Sequence, residues 1–385
     1  MLSPTPLSLF CALLLCLPLA VVFTVKNPTA STTTINIDSN ENPPTIFVPI
    51  THSTKNNQEM ELKQSTAAPP LPPPNDDEPL LRVASLVNPK PWPPTSPKKL
   101  AFMFLTTVPL PFAPLWELYL NQTSKTLFNI YIHADPTNRY NPPFAGVFAH
   151  RVIPSKPASR FTPTLVSAAR RLLAHALLHD PSNAMFALLS PSCVPLHSFN
   201  FTYRTLISSK KSFIEILKNE GSAYGRWAAR GEDAMLPEVR LEDFRIGSQF
   251  WVLTRKHARL VVRDRRLWSK FKLPCVRYDT CYPEENYFAT LLSMRDPRRC
   301  VPATLTHVDW RGRFDGHPRT YEASEVGPEL VLSLRKDRPR YGDDGRNGSD
   351  SSVTKRHDPF LFARKFSFDS IQPLMRIAND VLFKD

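Results

Sequence analysis

Leu100-Ala-Phe-Met-Phe-Leu105 is apolar at all six positions, directly after Lys98-Lys99. A strand with one wet face alternates apolar and polar residues. An unbroken run of this length suits a strand buried on both faces. Two further runs have the same character. Leu127-Phe-Asn-Ile-Tyr-Ile-His133 ends at Asp135-Pro136, and Ala184-Met-Phe-Ala-Leu-Leu189 ends at the turn Ser190-Pro-Ser-Cys193. A short helical stretch, residues 114–120, separates the first two. Residues 164–179 separate the second from the third, with Leu165, Ala168, Leu172, Ala176 and neighbours at helical spacing and Arg170 and Arg171 on the expected polar side. Strand–helix alternation with buried strands predicts an α/β fold with parallel members. Ligands of such sheets bind beyond the carboxyl ends of the strands, where Thr106, His133, Asp135 and Ser190 lie.

The second half reads as mixed. Gly247-Ser-Gln-Phe-Trp-Val-Leu253 has strand character. Residues 257–268 read as one basic helix with Arg263, Arg265 and Arg266 on a solvated face. Residues 283–292 read as a helix with proline in its first turn, where proline fits. Residues 337–356 are rich in Asp, Arg, Gly and Ser and read as a loop. Phe360-Leu-Phe-Ala-Arg-Lys-Phe366 and a short helix close the chain.

Upstream of the first strand the character changes. Residues 7–25 form an uncharged apolar run, roughly 28 Å long as a helix, enough to cross a hydrocarbon core of about 30 Å. A cleaved signal peptide is the alternative. The length of the run and the absence of a small-x-small site favour a retained anchor. Residues 26–98 hold much of the chain's 40 prolines, including Pro-Pro-Leu-Pro-Pro-Pro, and read as an extended, unfolded stem. The expected layout is a cytosolic tail (1–6), a transmembrane signal anchor (7–25), the stem (26–98) and a luminal domain (99–385).

The net charge of +13 suits an anionic partner, and membrane targeting argues against nucleic acid. Three N-glycosylation triplets, at Asn121, Asn200 and Asn347, favour a luminal body and hence a single-pass, type II arrangement. Four cysteines lie outside the apolar run. Cys275 and Cys281 are close enough to bridge a short loop, with Cys193 and Cys300 as the second possible pair. None has the paired spacing of a zinc site.

The chemistry concentrates in Cys281-Tyr-Pro-Glu-Glu-Asn-Tyr287. Two carboxylates in a helix's first turn meet the positive end of its dipole. One facing a cleft could take a proton from a sugar hydroxyl. Acidic residues there are also ordinary helix stabilisers.

From Lys99 to its end the chain resembles the core-2/I-branching β-1,6-N-acetylglucosaminyltransferase family, in its plant branch. The resemblance runs in order through Ala101-Phe-Met-Phe-Leu-Thr106, Ile130-Tyr-Ile-His-Ala-Asp135, Leu188-Leu-Ser-Pro-Ser-Cys193, Gly247-Ser-Gln-Phe-Trp251, Cys281-Tyr-Pro-Glu-Glu285, Thr306-His-Val-Asp-Trp310 and Leu361-Phe-Ala-Arg-Lys-Phe366. It implies a variant GT-A, Rossmann-like domain in the Golgi membrane that moves a sugar from a UDP-sugar, with inversion, to a glycan or glycoprotein. Glu285 would be the base. Thr106 and Asp135 would hold the donor, with Arg364, Lys365 and Arg319 on its diphosphate. Trp310 and Glu284 would line the acceptor side. No cofactor is implied: the family dispenses with the metal, and no Asp-x-Asp follows the strands here, so basic side chains would take the leaving group's charge.

Three departures fall near the expected donor pocket. Ser159-Arg-Phe-Thr-Pro163 stands where relatives carry Trp-Gly, an acidic residue usual near Ala169 is absent, and Thr107-Val108 replaces Arg-Gly. They motivate a second reading, a non-catalytic tethered glycan-binding protein. A glycoside hydrolase, the third reading, needs a carboxylate opposite Glu285 that the sequence does not reveal.

Overall fold

The computed structural model describes residues 77–312, 317–343 and 356–385. After helix α1 (Glu78–Ser85) the chain alternates β1 (Lys99–Thr106), α2 (Ala113–Leu120), β2 (Phe128–Ala134), α3 (Pro163–His179) and β3 (Asn183–Leu189). Then come β4 (Val194–Pro195), α4 (Phe199–Ser208), β5 (Ser212–Phe213), α5 (Ala223–Trp227), β6 (Val252–Thr254), α6 (Arg255–Arg263), α7 (Arg266–Phe271) and α8 (Pro283–Arg295). Strands β7 (Cys300–Val301) and β8 (Thr306–Val308), helix α9 (Pro328–Lys336), strand β9 (Phe362–Arg364) and helix α10 (Ile371–Ile377) complete it.

The main sheet has the order β2-β1-β3-β6-β5-β7, and a small sheet the order β4-β9-β8. β1 runs parallel to both β2 and β3, with Phe102 opposite Ile130 on one side and Ala187 on the other. The first half is thus a mixed α/β fold around a parallel centre, as its buried runs indicate. β6 pairs antiparallel with β3 and β5.

β1 sorts its side chains by parity. Leu100, Phe102 and Phe104 enter a core with α2 and the C-terminal elements, while Ala101, Met103 and Leu105 enter a second core with α3. Trp116 of α2 packs edge-on to Phe104 at 5.2 Å and donates from Nε1 to the Cys193 carbonyl at 2.9 Å. Each such ring buried is worth about 1.5–3 kcal/mol. A polar substitution at any of these positions would open one core.

Helix α3 starts where the sequence says it should. The Thr162 hydroxyl accepts from the Thr164 N–H at 3.3 Å, and Pro163 opens the first turn. Its arginines correct the expectation: Arg170 and Arg171 are both buried. α1 and α6 cover the flank read as polar. Arg170 stacks over Trp268 at 4.7 Å and donates to the Asp264 carbonyl at 2.6 Å. Arg171 donates through Nε to Asp77 at 3.0 Å.

The stem boundary is also corrected. Residues 77–98 belong to the folded unit: α1 buries Leu81 and Ala84 against α3 and α6, and the Trp92 N–H donates to the Pro181 carbonyl at 3.0 Å. Eight residues are too short for a helix that stands alone, so tertiary packing makes it. The single basic helix breaks in two at Asp264, whose carboxylate accepts from the Leu267 and Trp268 N–H groups at 3.2 and 2.9 Å. In the stretch 247–253 only the last two residues reach a strand, β6.

Cys275 and Cys281 form a disulfide. Cys193 and Cys300 are free, because they sit in the two different cores on opposite sides of the sheet. Asn121 and Asn200 are exposed. Asn347, the apolar run 7–25, the stem up to residue 76 and most of the 337–356 loop lie outside the described residues. Among the described residues no helix is long and apolar enough to cross a membrane.

Candidate active site

The ends of β1, β3 and β9, strand β8 and the first turn of α8 converge on a cleft of about 740 Å³. Leu105 and Thr107 come from the β1 end, Ser190 and Ser192 from the β3 end, and Arg364 and Lys365 from the end of β9. Glu284 and Glu285 come from α8. This is the carboxyl-end location that a parallel sheet reserves for ligands.

Glu285 is partly exposed, and its Oε2 accepts from Arg226 Nη1 of α5 at 2.6 Å. The Arg226 guanidinium also lies over the Tyr282 ring at 4.5 Å. The ion pair and the stack together fix the carboxylate. The backbone holds it from behind: the Glu285 carbonyl accepts from the Gly247 N–H at 2.8 Å. Gly247 has no room for a side chain, since a Cβ there would lie 2.1 Å from the Glu215 carbonyl oxygen. That glycine lets the segment after β5 that carries Glu215 pass close to the chain that hydrogen-bonds Glu285.

Glu284 is buried. Its Oε1 accepts from the Phe161 N–H at 3.1 Å, while Oε2 is buried without a hydrogen-bond partner. Burial pushes its carboxyl up from the ordinary value. Phe161 sits at φ 64°, an uncommon conformation for an aromatic residue, packed edge-on to Tyr282 at 5.0 Å.

Asp135 anchors the same loop at its other end. Its Oδ1 accepts from the Thr137 N–H at 2.8 Å and hydroxyl at 2.6 Å, and its Oδ2 from the Ala158 N–H at 2.8 Å. Burial pushes its carboxyl up, but these hydrogen bonds outweigh it and hold the group below its usual value. Through the Ala158 N–H, Asp135 also ties down the start of the segment that lines the cleft with Ala158 and Arg160. Thr106 is buried and closes its own turn by accepting from the Val108 N–H at 3.1 Å, so Thr107 is the residue that lines the cleft. His133 is buried beside Arg171, with Nε2 2.9 Å from Nη1, and both burial and that cation push it down to about 4. It is therefore neutral at physiological pH and packs away from the cleft lining.

Of the expected diphosphate cations, the cleft receives two. The half-buried Arg364 lays its guanidinium over the Phe250 ring at 4.7 Å, and desolvation lowers its pKa. Lys365 follows it, and its carbonyl accepts from the Tyr321 N–H at 2.8 Å. Arg319 is outside the cleft lining, paired with Glu325 and 3.8 Å from Asp309. Trp310 does line the cleft and is 53% exposed.

The sequence reading missed Arg226, Glu215, Arg160, Arg338 and Arg340. Glu215 is a further carboxylate of the cleft beside Glu284, Glu285 and Asp337, and burial pushes it up to about 7, with Arg340 opposing and Glu285 adding to the rise. A lone acid in the apolar stretch Phe213-Ile-Glu-Ile was the available signal. Arg226 had no local signal. Among the described residues no three His, Cys, Asp or Glu side chains form a group that could hold a metal ion.

A family model described as Core-2/I-Branching enzyme matches residues 100–335. Glycosyltransferase BC10 of Oryza sativa subsp. japonica is 32% identical over 318 residues, 73% of this chain and 76% of that protein. A solved structure of the galactosyltransferase LgtC, in complex with donor and acceptor sugar analogs, matches at 7% identity and a TM-score of 0.38. It covers 74% of this chain and 97% of that one. A likeness at that level carries no argument about site or substrate.

Proposed function

The chain belongs to the Core-2/I-Branching enzyme family and is a glycosyltransferase, and from that premise we propose that it transfers a sugar from a UDP-sugar to a glycan with inversion, Glu285 acting as base. The observation that carries this reading is that Glu285 and the Arg364–Lys365 pair face one cleft. In the proposed step the acceptor oxygen bonds to the anomeric carbon as the bond from that carbon to the diphosphate oxygen breaks. The acceptor proton goes to Glu285 Oε1, because Arg226 occupies Oε2. The bonding electrons leave with the diphosphate, where Arg364 and Lys365 take up the charge. A positioned base contributes about 10²–10⁴ in rate. One well-placed donor of charge stabilisation contributes about 10²–10³.

No metal is needed in this scheme, since the charge is met by side chains already at the cleft. The location we propose with it is the Golgi lumen, with residues 7–25 as anchor; the exposed Asn121 and Asn200 support a glycosylated, luminal body. Assaying UDP release by the full-length protein from a panel of UDP-sugars, with and without EDTA, tests the reading. Turnover that survives the chelator fits; turnover abolished by EDTA and restored by a divalent cation overturns the metal-free step. Failure to bind or turn over any UDP-sugar would instead favour the non-catalytic alternative, in which the cleft lined by Thr107 holds a glycan without transferring a sugar.

A further inference from the structure

We propose that Arg160 is a further cation of the donor site, binding the diphosphate of the UDP-sugar together with Arg364. The inference rests on the reading of the cleft as a UDP-sugar site and adds to it a residue from the loop between β2 and α3.

That loop is held by its backbone. The Ala158 N–H donates to Asp135 Oδ2 at 2.8 Å, the Ser159 N–H to the Thr164 hydroxyl at 2.9 Å, and the Phe161 N–H to Glu284 Oε1 at 3.1 Å. Arg160 stands among these fixed points, with an exposed side chain that lines the cleft. Its guanidinium lies over the Phe161 ring at 5.0 Å, and that ring is itself packed on Tyr282. The cation is therefore carried on a rigid support.

The neighbouring arginines of the cleft are already engaged. Arg340 pairs with Glu220 at 3.0 Å, and Arg338 donates to the Arg335 carbonyl at 2.6 Å. Arg160 and Arg364 differ. Among the described residues neither makes an ion pair with a carboxylate, and Arg364 Nε is buried without a hydrogen-bond partner. The two charges also interact: burial is the main cause that lowers the Arg364 pKa, and the Arg160 charge adds to it. Two guanidiniums that repel one another in one cleft, with no carboxylate on either, favour an anion that both can reach. A guanidinium offers a planar fork of N–H donors that matches two oxygens of a phosphate. As the bond from the anomeric carbon to the diphosphate oxygen breaks, its electron pair stays on that oxygen. Arg160 meets the new charge through hydrogen bonds and gives up no proton.

The test is calorimetric titration of the full-length protein with UDP and, at high concentration, with uridine. UDP carries the diphosphate but no sugar, and uridine carries neither. Arg160→Gln should weaken UDP about tenfold or more, the usual worth of a hydrogen bond to a charged group, and leave uridine affinity and Tm as in wild type. Arg160→Lys, which keeps the charge without the fork, should recover part of the loss. An equal loss for UDP and uridine would make Arg160 a support of the loop and overturns the proposal. UDP bound by wild type and equally well by Arg160→Gln sinks this proposal alone, whereas a wild-type protein that binds no UDP sinks the donor reading and this proposal with it.

Discussion

Arg226 and Glu285 meet at 2.6 Å across 59 residues of sequence, at the mouth of the cleft that also receives Lys365. A carboxylate this far from a solvated state of free rotation is set in one direction, and the cation that sets it comes from a different helix.

Arg226 is therefore a positioning residue for the proposed base. Arg226→Ala should lower kcat about a hundredfold, the usual result of misplacing a reacting group by about an ångström, and leave UDP affinity unchanged. Arg226→Lys should recover part of the loss. Steady-state kinetics with UDP titration reads both, and a loss confined to donor KM would show that Arg226 serves the donor.

Glu215 should give the protein a pH-dependent stability. Its folded pKa, about 7, lies above its ordinary 4.5, so the folded state binds the proton more tightly than the unfolded state. The contribution is fully present below pH 4.5 and is lost as the pH rises through 7. Glu215→Gln removes that loss. The Tm of the variant should gain on wild type steadily between pH 4.5 and 7, and a constant difference across that window would contradict the assignment.

The residue that precedes α1, Asp77, should matter to the whole domain. Asp77 binds the buried Arg171 and, at 3.0 Å, the more exposed Lys156. Asp77→Ala leaves a buried guanidinium without its carboxylate, a change that costs about 3–5 kcal/mol. Lys156→Ala should cost no more than about 1 kcal/mol. Urea unfolding of the two variants separates them; equal small losses would mean that Asp77 is not needed for Arg171.

The parts of this protein that could be read from its sequence are those whose signal is local. The three long strands are visible because each carries a nearly unbroken apolar run, which burial on both faces explains. The α8 start is visible because proline and two acids coincide there. Partnerships made across the chain were not legible. Arg170 and Arg171 look solvated until Asp264 and Asp77 are brought to them from distant segments. The bond from the Ala158 N–H to Asp135 spans 23 residues and has no local signal. Cys193 and Cys300 look like a pair until the sheet stands between them. Helix α1 is hidden by the prolines around it, since its stability comes from α3 and α6 rather than from its own eight residues.

The central claim concerns a proton on an acceptor hydroxyl, and single-turnover sugar transfer by Glu285→Gln measures it most directly. The amide keeps the size of the side chain and its place beside Arg226 but cannot accept that proton. Transfer should fall by about 10²–10⁴, with UDP affinity and Tm as in wild type. A transfer rate matching wild type in a protein that still binds UDP would remove Glu285 from the chemistry.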